Sequence, residues 1–298
     1  MENFADRLLE AIARKRSPVC VGIDPNFDYL PDELRRDSDA SGRLQTIRSF
    51  CEDVLRIVEP YAPAVKPQSA YFEAYGPPGV EAYYDVVRRA RELGLIVIGD
   101  VKRQDIGSTA SAYAAGHLAD PKAPDAVTVG GYFGTDGIAP FIDAARETGR
   151  GLFVLVRTSN PSATQVQDIT DVDGKALYEH MAELVAMLGG EDGLVGSRGY
   201  SAVGAVVGAT YPDEARKLRK LMPQQIFLVP GYGAQGATAA ECKAAFAQDG
   251  TGAIVNASRS VIYAHRRERY AELPWRQAVE SAAKDFARDI RNAIETQR

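Results

Sequence analysis

Asp100, Lys102, Arg103 and Asp105 put four charges into six positions, directly after the apolar run 95–99. Charged side chains are costly to take out of water unless they are paired, so a strand that ends in them ends at a solvated rim or at a site. Strand side chains alternate faces, which sends Asp100 and Lys102 the same way. Lys66, in a neighbouring apolar run, reaches the same space. Two ammonium groups around one carboxylate form a rigid, mutually neutralising array, a candidate for proton transfer and for stabilising charge. The plainer reading is a structural salt-bridge network at a rim, since such networks also perturb titration where no chemistry occurs.

A second group of residues suits phosphate. The stretch "PGYGAQGAT" (230–238) supplies Gly231, Gly233 and Gly236 for a close backbone approach and Gln235 as a donor. The stretch "NASRSVIY" (256–263) supplies Arg259, whose guanidinium fork holds phosphate oxygens through two parallel bonds. The alternative is that these glycines only make turns. His117, His180 and His265 fall in helical or surface segments, and no Ser-His-Asp grouping stands out. No His/Asp/Glu cluster shows metal-ligand spacing, so no metal is expected.

The elements that position these residues recur regularly. Apolar, β-branched runs occupy 17–25, 62–68, 95–102, 125–131, 151–159, 203–210, 226–233 and 252–260. Such near-continuous runs read as parallel strands covered on both faces. Between them, segments such as "GVEAYYDVVRRARELG" carry apolar residues at helical spacing. Eight β–α alternations predict a closed (β/α)8 barrel, a single domain over 1–298 with an N-terminal helix and a closing helix near 274–296. A doubly wound open sheet is the alternative, weakened by the lack of a GxGxxG fingerprint after the first strand. Extended loops are expected near 26–42 and 159–173. In this barrel the strands' C-terminal ends carry function, and phosphate often sits after strands 7 and 8. Asp24, Lys66, Asp100, Lys102, Gln235 and Arg259 all fall at such ends.

The chain has 298 residues, 45% of them hydrophobic, and a formal net charge of −5. That balance gives no sign of a nucleic-acid partner or an anionic membrane surface. The basic cluster at 266–269, interrupted by Glu268, reads as a solvated helix face. The apolar runs are far shorter than a bilayer span. Three widely spaced cysteines imply neither disulfides nor metal, and with no signal peptide the expected location is cytoplasmic.

The stretch "DVKRQDIGST" (100–109) resembles the D-x-K-x-x-D-I signature of the orotidine 5′-phosphate decarboxylases. "VGIDP", "VKPQ", "RTSNPS", "VPGYGAQG" and "NASRSVIYA" are similar to that family in the same order, and the extended loops resemble its longer bacterial branch. The resemblance spans nearly the whole chain. It implies cofactor-independent conversion of orotidine 5′-monophosphate to uridine 5′-monophosphate and CO2, the last step of de novo pyrimidine synthesis. Carried across, it makes Lys102 the general acid at C6, Asp100 the neighbour of the leaving carboxylate and Lys66 its partner. Asp105 completes the array from the other subunit of a homodimer, with Ile106 and Thr109 touching the nucleotide from that side. Asp24 is expected on the ribose hydroxyls, Ser159 on the pyrimidine edge, and Gln235 with Arg259 on the phosphate, under a lid at 231–237.

Two other functions fit parts of this pattern. A Mg2+-dependent phosphosugar decarboxylase of the keto-gulonate phosphate type shares D-x-K-x-x-D but has no use for the nucleotide-contact positions in "DIGST" and "RTSN". A non-catalytic phosphate-binding barrel keeps the strand 7 and 8 grip and has no need of the charged array. The glycine-rich loop 130–137 has no assigned role.

Overall fold

The structure, a computed structural model, describes residues 2–36, 39–233 and 236–295. Eight parallel strands close into a barrel in chain order: β1 (Val19–Ile23), β2 (Ala64–Pro67), β3 (Ile96–Arg103), β4 (Ala126–Val129), β5 (Gly151–Arg157), β6 (Ser201–Val207), β7 (Gln225–Pro230) and β8 (Ala253–Ala257). The pairing of β1 with β8, Cys20 opposite Asn256, closes the ring. Each expected apolar run overlaps one strand, with β3, β6 and β7 extending beyond the expected bounds by one or two residues. Both strand faces are buried because the barrel packs inside and helices pack outside, which is why these strands read as continuous rather than alternating.

The outer layer contains α2 (Ala40–Val58), α3 (Gly76–Glu92), α4 (Gly107–Ala114), α5 (Thr135–Thr148), α6 (Leu177–Gly189), α7 (Pro212–Leu221) and α8 (Trp275–Glu295); α1 (Phe4–Lys15) precedes β1. Asn3 caps α1 by accepting from the Ala5 amide, and Asp39 caps α2 by accepting from the Gly42 amide. Helix α1 stoppers the N-terminal end of the barrel. Its Phe4, Leu8 and Leu9 join Cys20, Ile96, Ile98, Phe153, Ile226 and Ile254 in one buried cluster. Phe4 meets Phe153 edge to face at 5.9 Å. With that end plugged, the opposite end is left open for a ligand.

The two extended loops carry short helical turns. The first holds a short 3-10 turn, Phe27–Tyr29, and the second a 3-10 turn, Pro161–Ala163, running into a helical turn, Thr164–Gln167. The basic cluster differs from its expected form. Arg266–Arg269 sit on two 3-10 turns, Ala264–Arg266 and Glu268–Tyr270, not on a helix face. Arg266 lies over the Tyr29 ring at 4.5 Å and Arg267 over the Tyr270 ring at 5.5 Å. No helix among the described residues is long and apolar enough to cross a membrane.

Candidate active site

At the C-terminal ends of the strands a cavity of about 440 Å³ opens. Asp24, Lys66, Asp100, Lys102, Ser159 and Arg259 all line it. Its deeper side is apolar, built from Leu155, Val206, Leu228 and Pro230, and the charged array faces that side. An apolar lining beside a few charged and polar groups suits a heteroaromatic ligand.

Asp100 is the hub. It is 5% exposed and contacts both ammonium groups: Lys66 at one oxygen, Lys102 at the other at 2.5 Å. The Thr128 hydroxyl donates to it at 2.9 Å and the Gln68 amide at 3.0 Å. Burial by itself pushes the Asp100 carboxyl up, but the Lys66 and Lys102 charges outweigh burial and hold it far below the usual carboxylate range. At Lys66 burial pushes the other way, and the charges of Asp100 and then Asp24 keep its ammonium protonated well beyond an ordinary lysine. The Cys20 thiol, one layer deeper, is pushed up to about 12 by burial.

The path by which Lys102 reaches the cavity is not simple alternation. Gly99 pairs with Val127 but Arg103 with Val129, so β3 carries two more residues than β4 over that interval. Lys102 takes φ = +44°, the left-handed region that non-glycine residues avoid at a cost of about 1–2 kcal/mol. Its backbone N–H donates to the Thr128 hydroxyl at 3.0 Å, the same hydroxyl that donates to Asp100. Thr128 therefore pins the bulge and the carboxylate together. Bulges of this kind re-aim side chains beside active sites. Arg103, the third charge of the motif, turns away to Glu73 and the Val101 carbonyl.

Ser159 is placed by a similar irregularity. Leu155 pairs with Val206 and Arg157 with Val207, so one extra residue in β5 turns Arg157 outward. Arg157 is fully buried between the Tyr178 and Tyr211 rings and pairs with Asp168 at 2.7 Å and Glu214 at 2.5 Å. Gln167 then grips the next residue twice: its carbonyl accepts from the Thr158 amide at 3.0 Å and its NH2 donates to the Thr158 hydroxyl at 2.7 Å. Gly208 leaves Ser159 its room, because a Cβ there would lie a tight 3.0 Å from that of Ser159.

Several polar atoms here have no partner among the described residues: Asp24 Oδ1, Asn256 Oδ1 and Ser258 Oγ, all lining the cavity. Buried polar atoms are rarely left without a hydrogen bond, so at a cavity wall these three are positions for a ligand or water to complete. Asp24 is held from behind, its carbonyl accepting from the Tyr263 hydroxyl at 2.8 Å. Thr128, Asn256 and Ser258 were not among the residues singled out from sequence, whereas Gln68 was legible as a polar residue at the end of strand 2. The available signal was alternation, since Asn256 and Ser258 continue the inward face begun by Ile254.

Three expected contacts lie elsewhere. Asp105, Ile106 and Thr109 stand outside their own chain's cavity, Asp105 accepting from the Ile106 amide at 2.8 Å. Ile106 is 54% exposed, with Tyr113, Tyr132 and Phe133 also exposed. Gln235 lies outside the described residues. None of the three histidines lines the cavity, and among the described residues no group of three His, Cys, Asp or Glu side chains could hold a metal ion.

A family model described as orotidine 5′-phosphate decarboxylase / HUMPS family matches residues 17–273. The chain belongs to that family. Among similar proteins, an orotidine 5′-phosphate decarboxylase of Rhodopirellula baltica is 44% identical, with 95% of this chain and 97% of the relative covered. One from Deinococcus radiodurans is also 44% identical, over 88% and 90% of the two chains. The solved OMP decarboxylase of Leishmania donovani superposes with a TM-score of 0.76 at 30% identity, covering 98% of this chain and 99% of that one. The family match runs from the approach to β1 past β8, so it takes in every strand that carries a cavity residue.

Proposed function

We propose that this orotidine 5′-phosphate decarboxylase family member converts orotidine 5′-monophosphate to uridine 5′-monophosphate and CO2, with Lys102 as the acid. The observation that carries the reading is a buried carboxylate, Asp100, held between two ammonium groups at the wall of a cavity large enough for a nucleotide.

The reaction breaks the C6–carboxylate bond and leaves its electron pair on C6. CO2 departs, and a proton from Lys102 Nζ bonds to C6; solvent then reprotonates the lysine. Little resonance stabilises that carbanion, so a fixed ammonium aimed at C6 does most of the work before it gives up its proton. Asp100 positions Lys102 and stands against the leaving carboxylate, and Lys66 neutralises Asp100. Asp24, with its free Oδ1, accepts from ribose hydroxyls. Ser159 reads the pyrimidine edge, and Arg259 with Gln235 holds the phosphate.

Asp105, Ile106 and Thr109 act in the neighbouring cavity of a homodimer. Their position outside their own cavity supports this, as do the exposed apolar side chains Ile106, Tyr113, Tyr132 and Phe133, which a partner covers.

The test is to add orotidine 5′-monophosphate to EDTA-treated protein and follow the ultraviolet spectrum. Conversion to the uridine spectrum without metal is the expected result. An unchanged spectrum, or turnover only after Mg2+ is restored, overturns the reading, the second in favour of a phosphosugar-type enzyme.

A further inference from the structure

Beside the main cavity lies a second, of about 330 Å³, and Arg259 lines both. Its other walls include Tyr29, Ser260, Tyr263, Arg266 and Arg267. Three guanidinium groups therefore border one space, and none pairs with a carboxylate among the described residues. Arg266 rests on the Tyr29 ring, while Arg267 donates to the Ser260 carbonyl at 3.1 Å and rests on Tyr270. The Ser260 hydroxyl belongs to a residue only 7% exposed and has no partner among the described residues. Arg267 and Ser260 also line a smaller neighbouring cavity with Asp285 and Asp289, but a buried free hydroxyl among three guanidinium groups that make no ion pair among the described residues is an anion's environment. Tyr263 joins the two spaces: its ring forms part of this wall, and its hydroxyl holds the Asp24 backbone in the main cavity.

We propose that the second cavity takes the β-phosphate of a pyrimidine nucleoside 5′-diphosphate, whose nucleoside fills the main cavity and whose first phosphate sits at Arg259. Such a ligand excludes the monophosphate substrate, so a more highly phosphorylated descendant of the product restrains the enzyme. The inference rests on the nucleotide reading of the main cavity. No covalent step is involved.

The experiment compares uridine 5′-monophosphate and uridine 5′-diphosphate as competitive inhibitors of orotidine 5′-monophosphate turnover, and measures their direct binding by calorimetry. The wild type is expected to bind the diphosphate roughly tenfold more tightly, the equivalent of one partly solvated charge-assisted contact. An R266A/R267A double variant loses that advantage while its affinity for the monophosphate is unchanged. Arg266→Ala alone, which removes no hydrogen bond to the backbone, is expected to lose part of it and serves if the double variant does not fold. Equal affinity for the two nucleotides in the wild type, or an advantage that survives in the variants, overturns the proposal. If the monophosphate itself does not bind, the nucleotide reading fails and this one with it; if it binds but the second phosphate adds nothing, only this one fails.

Discussion

Replacing Asp100 by Asn changes one charge and almost no volume, so it isolates the electrostatics of the array. In the wild type Lys66 is 7% exposed and rests on Asp100, with Asp24 as a further negative charge. The substitution leaves a buried ammonium facing an amide. Removing one partner of a buried ion pair costs about 3–5 kcal/mol, and because Asp24 still faces Lys66 the cost falls near the low end, about 3 kcal/mol. For a chain of this size that lowers Tm by about 6 °C. The pH dependence has a definite sign. Asp100 has a folded pKa below its unfolded value, so its contribution is present above about pH 4 and lost as pH falls through the folded pKa. Lys66 has a folded pKa above its unfolded value of about 10.4, so its contribution holds below that pH and is lost as pH rises through the folded pKa. Between these limits the array adds no slope in the wild type. In the variant burial dominates at Lys66 and drops its pKa below the unfolded value, so the penalty eases as pH rises. Urea unfolding of both proteins at pH 7 and pH 9.5 measures this. The stability gap is expected to narrow at the higher pH, with turnover lowered by about 100-fold or more. A variant within about 0.5 kcal/mol of wild type, or a gap that widens with pH, would refute the idea that Asp100 compensates a buried lysine.

Other perturbations separate the remaining roles. Lys102→Ala and Asp105→Ala are each expected to abolish turnover in the homogeneous protein, and mixing the two is expected to restore part of it through hybrid dimers with one intact site; no recovery on mixing argues against sharing across subunits. Arg259→Ala is expected to raise KM and also lower kcat, because remote binding energy can be used to order the site; an unchanged kcat at saturation confines Arg259 to binding alone. Gln167→Ala, which frees Thr158 from its double grip, is expected to raise KM severalfold with a smaller change in Tm, read by steady-state kinetics beside thermal unfolding. A loss confined to Tm assigns Gln167 to stability alone.

The fold and the charged motif were largely legible because both are periodic. Eight apolar runs separated by helical spacing leave few architectures, and the C-terminal strand ends follow from the barrel itself. Alternation also put Asp100 and Lys102 on one side, which is where they stand. What alternation could not show is how they get there. The register slip between β3 and β4, the left-handed Lys102 and the Thr128 hydroxyl that pins it arise from contact between two strands. The β5 bulge that turns Arg157 outward and delivers Ser159 is likewise a property of the β5–β6 pair.

The basic cluster at 266–269 shows the same limit from the surface. Read alone, "RRER" is a solvated helix face; in the folded chain, tight turns carry Arg266 to Tyr29, which lies more than two hundred positions earlier in the sequence. Periodicity belongs to a single segment and is written in its residue types, so the sequence by itself determined the strands, the helices and the chemistry available at the barrel mouth. Bulges, unpartnered polar atoms and the meeting of distant arginines depend on which segments touch and in what register, and only the closed barrel decides that.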